Sequence, residues 1–153
     1  MRNWIALMLV GITLLVACGP TVRADPGEVV YEVGSGFPLG SVQAVGAGHP
    51  IIVRLSQSVA SYYALEARPL PGYGRWVQRL GTGSTAIYVS QRLNAQGQPE
   101  ATIEMRWTFA VRADGFGSVR LETLASEQID VGLVEGPAFA RLDRDFRRVA
   151  SAR

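Results

Sequence analysis

Between Ala101 and Arg112 the chain reads ATIEMRWTFAVR, placing Ile103, Met105, Trp107, Phe109 and Val111 on one parity. Thr102, Glu104, Arg106, Thr108 and Arg112 fall on the other. Side chains of a strand alternate between its two faces, so this period predicts a half-buried strand with one side on a core. Asp114-Gly115 supplies a turn able to take positive φ, and GSVRLETLA resumes the alternation with Val119 and Leu121 against Arg120 and Glu122. The pattern predicts a hairpin over Ala101–Ala125.

Shorter runs of β-branched and aromatic residues, separated by turn formers, predict further strands. These are EVVYEV (Glu28–Val33), PIIVRLS (Pro50–Ser56), YYALEAR (Tyr62–Arg68), RWVQRL (Arg75–Leu80) and TAIYVSQ (Thr85–Gln91). The final stretch departs from this period. In PAFARLDRDFRRVASAR, Leu142, Phe146 and Val149 keep helical spacing after Gly136-Pro137. A short amphipathic helix is expected there, with Pro137 in its first turn. Arg141, Arg144, Arg147 and Arg148 surround its apolar stripe, either as a solvated face or as a contact for anionic headgroups. Many short strands with frequent turns and no strand–helix alternation predict a mainly β, antiparallel sandwich or barrel.

The N-terminus follows a different logic. Met1-Arg2-Asn3 precedes an apolar run from Trp4 to Ala17, interrupted only by Gly11 and Thr13. A basic start, an apolar run of this length and small residues at its end describe a secretory signal. Fourteen residues rise roughly 21 Å as a helix, short of the ~30 Å hydrocarbon core. Leu15-Val16-Ala17-Cys18 resembles the lipobox of bacterial lipoproteins. The resemblance implies that Cys18 carries a diacylglyceryl group, that cleavage removes residues 1–17, and that the new amino group can receive a further acyl chain such as palmitate. Residues 18–27 then form a Pro- and Gly-rich tether, and residues 28–153 the β domain. By analogy with sorting in Gram-negative bacteria, Gly19 after the anchor directs the protein to the outer membrane, facing the periplasm.

Composition narrows the chemistry. All 15 basic residues are arginine, set against 13 acidic ones, and no dense basic run lies outside the C-terminus, so nucleic acid is not an expected partner. Cys18 is the only cysteine and His49 the only histidine, so a nitrogen–sulfur metal cage is not expected. Asp143-x-Asp145 leaves open an all-oxygen site or simple pairing with neighbouring arginines. A serine nucleophile would depend on His49, and no Gly-x-Ser-x-Gly elbow accompanies it. The glycine-rich GSGFPLG and GTGST lack phosphate-loop spacing. No cofactor is expected.

Three glycine-rich turns carry an aromatic ring: Phe37 in GSGFPLG, Tyr73 in PLPGYGRW and Phe116 in DGFGS. Two of them at one end of the domain would form an apolar tip for a partner protein. Alternatively, each ring covers bare backbone beside glycine.

From Ile51 to Ala125 the chain also resembles the chagasin-type cysteine-protease inhibitors. VRLSQSVASYYALEA follows the strand–loop–strand rhythm around their inhibitory loop, and EMRWTFAVRADGFGSVRLETL resembles their aromatic hairpin. The resemblance implies an immunoglobulin-like β-sandwich, here with a short C-terminal helix. The inhibitory motifs themselves are not matched, since Gln57–Ser61 reads QSVAS and Asn94–Glu100 reads NAQGQPE. The expectation is therefore a membrane-anchored envelope lipoprotein with a non-catalytic domain that binds an envelope protein or supports assembly. A cysteine-protease inhibitor and a carboxylate-dependent enzyme on envelope polymers are the alternatives.

Overall fold

A computed structural model describes residues 21–32 and 46–153. Six strands form one antiparallel sheet: β1 (Glu28–Glu32), β2 (Val77–Gly81), β3 (Thr85–Leu93), β4 (Pro99–Val111), β5 (Gly117–Ala125) and β6 (Arg147–Ser151). Two helices complete the domain, α1 (Pro50–Leu65) between β1 and β2, and α2 (Val131–Asp145) between β5 and β6. The spatial order is β2-β3-β4-β5-β1-β6, which leaves β2 and β6 at the edges.

The mainly β, antiparallel class expected from the alternation is the one that forms. β4 and β5 make the predicted hairpin, with Trp107 opposite Leu121 and Phe109 opposite Val119. Gly115 closes the turn at φ 82°, a backbone state that costs glycine little. Both helices pack on one face of this sheet. That face carries Val29 and Tyr31 of β1, Tyr88 of β3, and Met105, Trp107 and Phe109 of β4. Ile52, Leu55, Val59 and Tyr63 of α1 and Val134, Phe139 and Leu142 of α2 close over it. Full burial of each large side chain contributes about 1.5–3 kcal/mol.

Two sequence expectations require correction. Pro50–Ser56 and Tyr62–Arg68 are not strands; both fall largely within α1. His49 caps the helix, its Nδ1 accepting from the Ile51 N–H at 3.2 Å, and Pro50 occupies the first turn. Ile51, Ile52, Leu55, Val59 and Tyr63 are buried at helical spacing, so the 3.6-residue period overrides the β preference of Ile51-Ile52-Val53. The VRLSQSVASYYALEA part of the stretch resembling the chagasin-type inhibitors is consequently helical as far as Leu65. The second correction concerns the C-terminal region. α2 begins at Val131, capped by the Asp130 carboxylate, so Pro137 lies inside the helix. Phe146 ends the helix in an extended conformation, and Val149 belongs to β6. Among the described residues, no helix is long and apolar enough to cross a membrane.

Candidate functional site

The connection from α1 to β2 builds an apolar concavity. Glu66 ends α1, its N–H and that of Ala67 both donating to the Tyr62 carbonyl at 2.7 and 2.9 Å. Arg68-Pro69-Leu70-Pro71 then prevents the helix from continuing, because proline lacks the donor and its ring crowds the preceding turn. Leu70-Pro71-Gly72-Tyr73 forms a tight turn, with the Tyr73 N–H donating to the Leu70 carbonyl at 2.9 Å. Gly72 takes φ 84° at the third position, where type II turns require a left-handed residue. Ser90 Oγ donates to the Gly74 carbonyl at 2.6 Å and the Gly74 N–H to the Gln91 carbonyl at 2.8 Å, fixing the segment to β3.

These constraints set Trp76 beside Tyr63, ring centroids 5.6 Å apart and edge to face. Tyr63 also packs on Tyr88 at 4.7 Å and on Tyr62 at 5.0 Å. A cleft of about 870 Å³ opens along this aromatic row, lined also by Leu65, Arg68, Arg75 and Val77. A smaller hollow of about 370 Å³ lies on the α2 side, where Tyr62, Pro69, Leu133 and Pro137 meet Trp76. The rim is strongly apolar: Leu65 is 80% exposed, Leu133 61% and Val77 54%.

Three further features distinguish the cleft. Tyr88 is 2% exposed, yet its hydroxyl has no hydrogen-bond partner among the described residues. Burial pushes that phenol up to about 12. Secondly, Glu66, the carboxylate of the cleft, is bound by Arg141 at 2.6 Å and Arg144 at 3.5 Å. Arg68, Arg75 and Arg79 make no ion pair among the described residues, so the cleft and adjoining edge carry uncompensated positive charge. Finally, β2 pairs only with β3 among the described strands, and all five of its residues are exposed.

The residues singled out from the sequence are dispersed. Cys18 and Phe37 lie outside the described residues. Tyr73 does not line the cleft. Its hydroxyl donates to Glu127, and Arg92 stands over its ring at 5.6 Å. Arg92 grips Glu127 through both terminal nitrogens and Glu100 through Nε at 3.1 Å. Those hydrogen bonds raise the Arg92 guanidinium further and, with Tyr73, hold Glu127 below the ordinary carboxylate range. Phe116 is half-buried in the β4–β5 turn. Tyr73 and Phe116 therefore sit at opposite ends of β4, roughly 40 Å apart at ~3.3 Å per residue, and do not form a shared tip.

The other candidates have structural partners. His49 caps α1. Asp143 accepts from Arg148 at 2.8 and 2.9 Å and from the Tyr31 hydroxyl at 3.1 Å. Asp145 accepts from Arg141 at 3.2 Å and from Ser58. Among the described residues, no group of three or more His, Cys, Asp or Glu side chains is placed to hold a metal ion. Sequence reasoning missed the Tyr63–Trp76–Tyr88 row; the available signal was the proline-interrupted run RPLPGYGRW, which carries Arg68, Arg75 and Trp76. No known protein family matches the chain, and no curated protein or solved structure matches it.

Proposed function

We propose that the chain is a bacterial envelope lipoprotein, anchored through lipid on Cys18, whose domain binds a partner protein without catalysis. The observation that carries the binding reading is the pairing of an exposed sheet edge with an apolar, aromatic-walled cleft. Contiguous apolar surface of this kind, rimmed by charge, is characteristic of interaction sites. The anchoring reading rests on Leu15-Val16-Ala17-Cys18 alone. Attached acyl chains at roughly 0.8 kcal/mol per buried CH₂ would make membrane residence effectively permanent. The Arg23 and Pro26 carbonyls accept from Arg112 and Arg120, and the Gly27 N–H donates to the Ala152 carbonyl, so residues 19–22 are the part left to span, roughly 13 Å at ~3.3 Å per residue.

Two measurements test the two halves separately. The first follows wild type and Cys18→Ser through membrane fractionation and detergent phase partition; equal partition of the two overturns the anchor. The second places a photo-crosslinking residue at Val77, or at Arg147 on the opposite edge strand β6, in the membrane-bound protein. Partner binding predicts adducts at Val77 that disappear with Trp76→Ala. Equal adducts at both positions, or none at Val77, overturn the binding site.

A further inference from the structure

We infer that β2 is a strand-addition site for an acidic, extended segment of a partner protein, one side chain of which enters the cleft beside Trp76 toward the Tyr88 hydroxyl. This rests on the partner-binding reading and gives the partner its chemistry.

The two sheet edges differ in the state of their charges. On β6, Arg147 pairs with Glu32 at 3.2 Å and Arg148 with Asp143 at 2.8 Å, so that edge is internally neutralised. On β2 and its approach, Arg75 and Arg79 have no ion-pair partner among the described residues, and neither has Arg68 beside the cleft. Arginine on an edge, together with a bulge, ordinarily keeps identical copies from pairing. β2 has both, its register slipping between Gln78 and Leu80. A second copy of this strand would set arginines against arginines. An acidic strand reverses the sign of that interaction and turns the barrier into charge-assisted hydrogen bonds.

The bulge also limits how much strand can add. Regular pairing with β3 runs through Val77 and Gln78, opposite Val89 and Tyr88, before the slip. The docking register is therefore centred on the residues flanking Trp76, where the cleft opens. Backbone hydrogen bonds from such an added strand give affinity, and pockets for alternate side chains give selectivity. Here Tyr88 lines the pocket, and its buried hydroxyl has no partner among the described residues. A carboxylate or amide tip that reaches this hydroxyl from the cleft would accept its hydrogen bond and remove that deficit.

The test uses the full-length protein in detergent and fluorescently labelled peptides. The reference peptide is a six-residue alternation of valine and glutamate. A second peptide replaces glutamate with lysine, and a third replaces every second valine with proline to block pairing. The acidic peptide is expected to bind, weakening with salt, and the lysine and proline peptides to bind at least about tenfold less well. The double variant Arg75→Ser/Arg79→Ser is expected to lose about tenfold in affinity for the acidic peptide. Tyr88→Phe is expected to weaken it several-fold without lowering the melting temperature, which separates recognition from folding. Equal binding of the acidic and lysine peptides overturns the charge assignment, and equal binding of the proline peptide overturns strand addition. Self-association through β2, read from crosslinks between Val77 positions, overturns the choice of an acidic partner over a second copy. Val77 adducts in membranes with no peptide binding leave the general reading standing and overturn this one; absence of both overturns both.

Discussion

Tyr88 and Trp107 each bury a polar atom that has no partner among the described residues. Leaving a buried hydroxyl unsatisfied costs about 1–3 kcal/mol. Tyr88→Phe keeps the ring against Tyr63 and removes the orphan, so it should raise the melting temperature by about 2–6 °C in a circular-dichroism melt; a fall would mean that the hydroxyl is satisfied. The same residue governs behaviour in alkali. Its folded value lies above the ordinary 10.0, at about 12. Its contribution is therefore fully present below pH 10 and lost as pH rises toward 12. The stability of Tyr88→Phe should fall less steeply across that interval.

Glu28 behaves in the opposite sense. Burial alone would raise it, but hydrogen bonds from Ser118 and the Asp25 N–H, with the charges of Arg112 and Arg120, hold it below its ordinary 4.5. The contribution is present above that value and lost as pH falls through the lower folded one. Glu28→Gln should cost about 1–3 kcal/mol at neutral pH, because Arg112 loses its buried partner. Denaturant titrations should show the gap to wild type closing in acid.

Among the elements, α1 and α2 show how local signals compete. β-branched residues at Ile51, Ile52 and Val53 favour a strand, whereas capping by His49, Pro50 and apolar spacing through Tyr63 favour a helix. The helix prevails because its stripe meets the inner face of the sheet. In α2, Pro137 supplies no N–H for the Leu133 carbonyl one turn earlier, and Gly136 precedes it. Apart from its chain neighbours and the helix's own backbone, a Cβ at Gly136 meets no atom within 4 Å. Gly136→Ala should therefore stabilise the protein by about 0.5–1 kcal/mol, read as a higher denaturant midpoint with unchanged slope. A decrease would show that the helix needs glycine at that break.

Across the whole molecule, β6 protects an otherwise open edge. It pairs with β1, whose Val29, Val30 and Tyr31 are fully buried, and the Ala152 N–H donates to the Glu28 carbonyl at 3.0 Å. A chain ending at Asp145 would expose that strand as a pairing template. Such a truncation should self-associate more than the full chain in light scattering, even though α2 remains. Equal scattering would show that β1 needs no cover.

Much of the sheet was legible because its information is local. The alternation from Ile103 to Phe109, the Asp114-Gly115 turn and the run at Thr85–Gln91 specify strands wherever the chain places them. A side-chain period of two presents one apolar face, and only a sheet buries it. The N-terminal run and Cys18 carry their expectation of membrane anchoring in the same local way. The tertiary structure decided which strand became an edge, that Tyr63, Trp76 and Tyr88 meet from three elements, and that Tyr73 and Phe116 are far apart. It also decided which arginines found carboxylates: Arg141 reaches Glu66 across 75 positions of sequence, while Arg75 and Arg79 reach none among the described residues. Such relations depend on through-space distance after packing, and local spacing along a chain does not encode them.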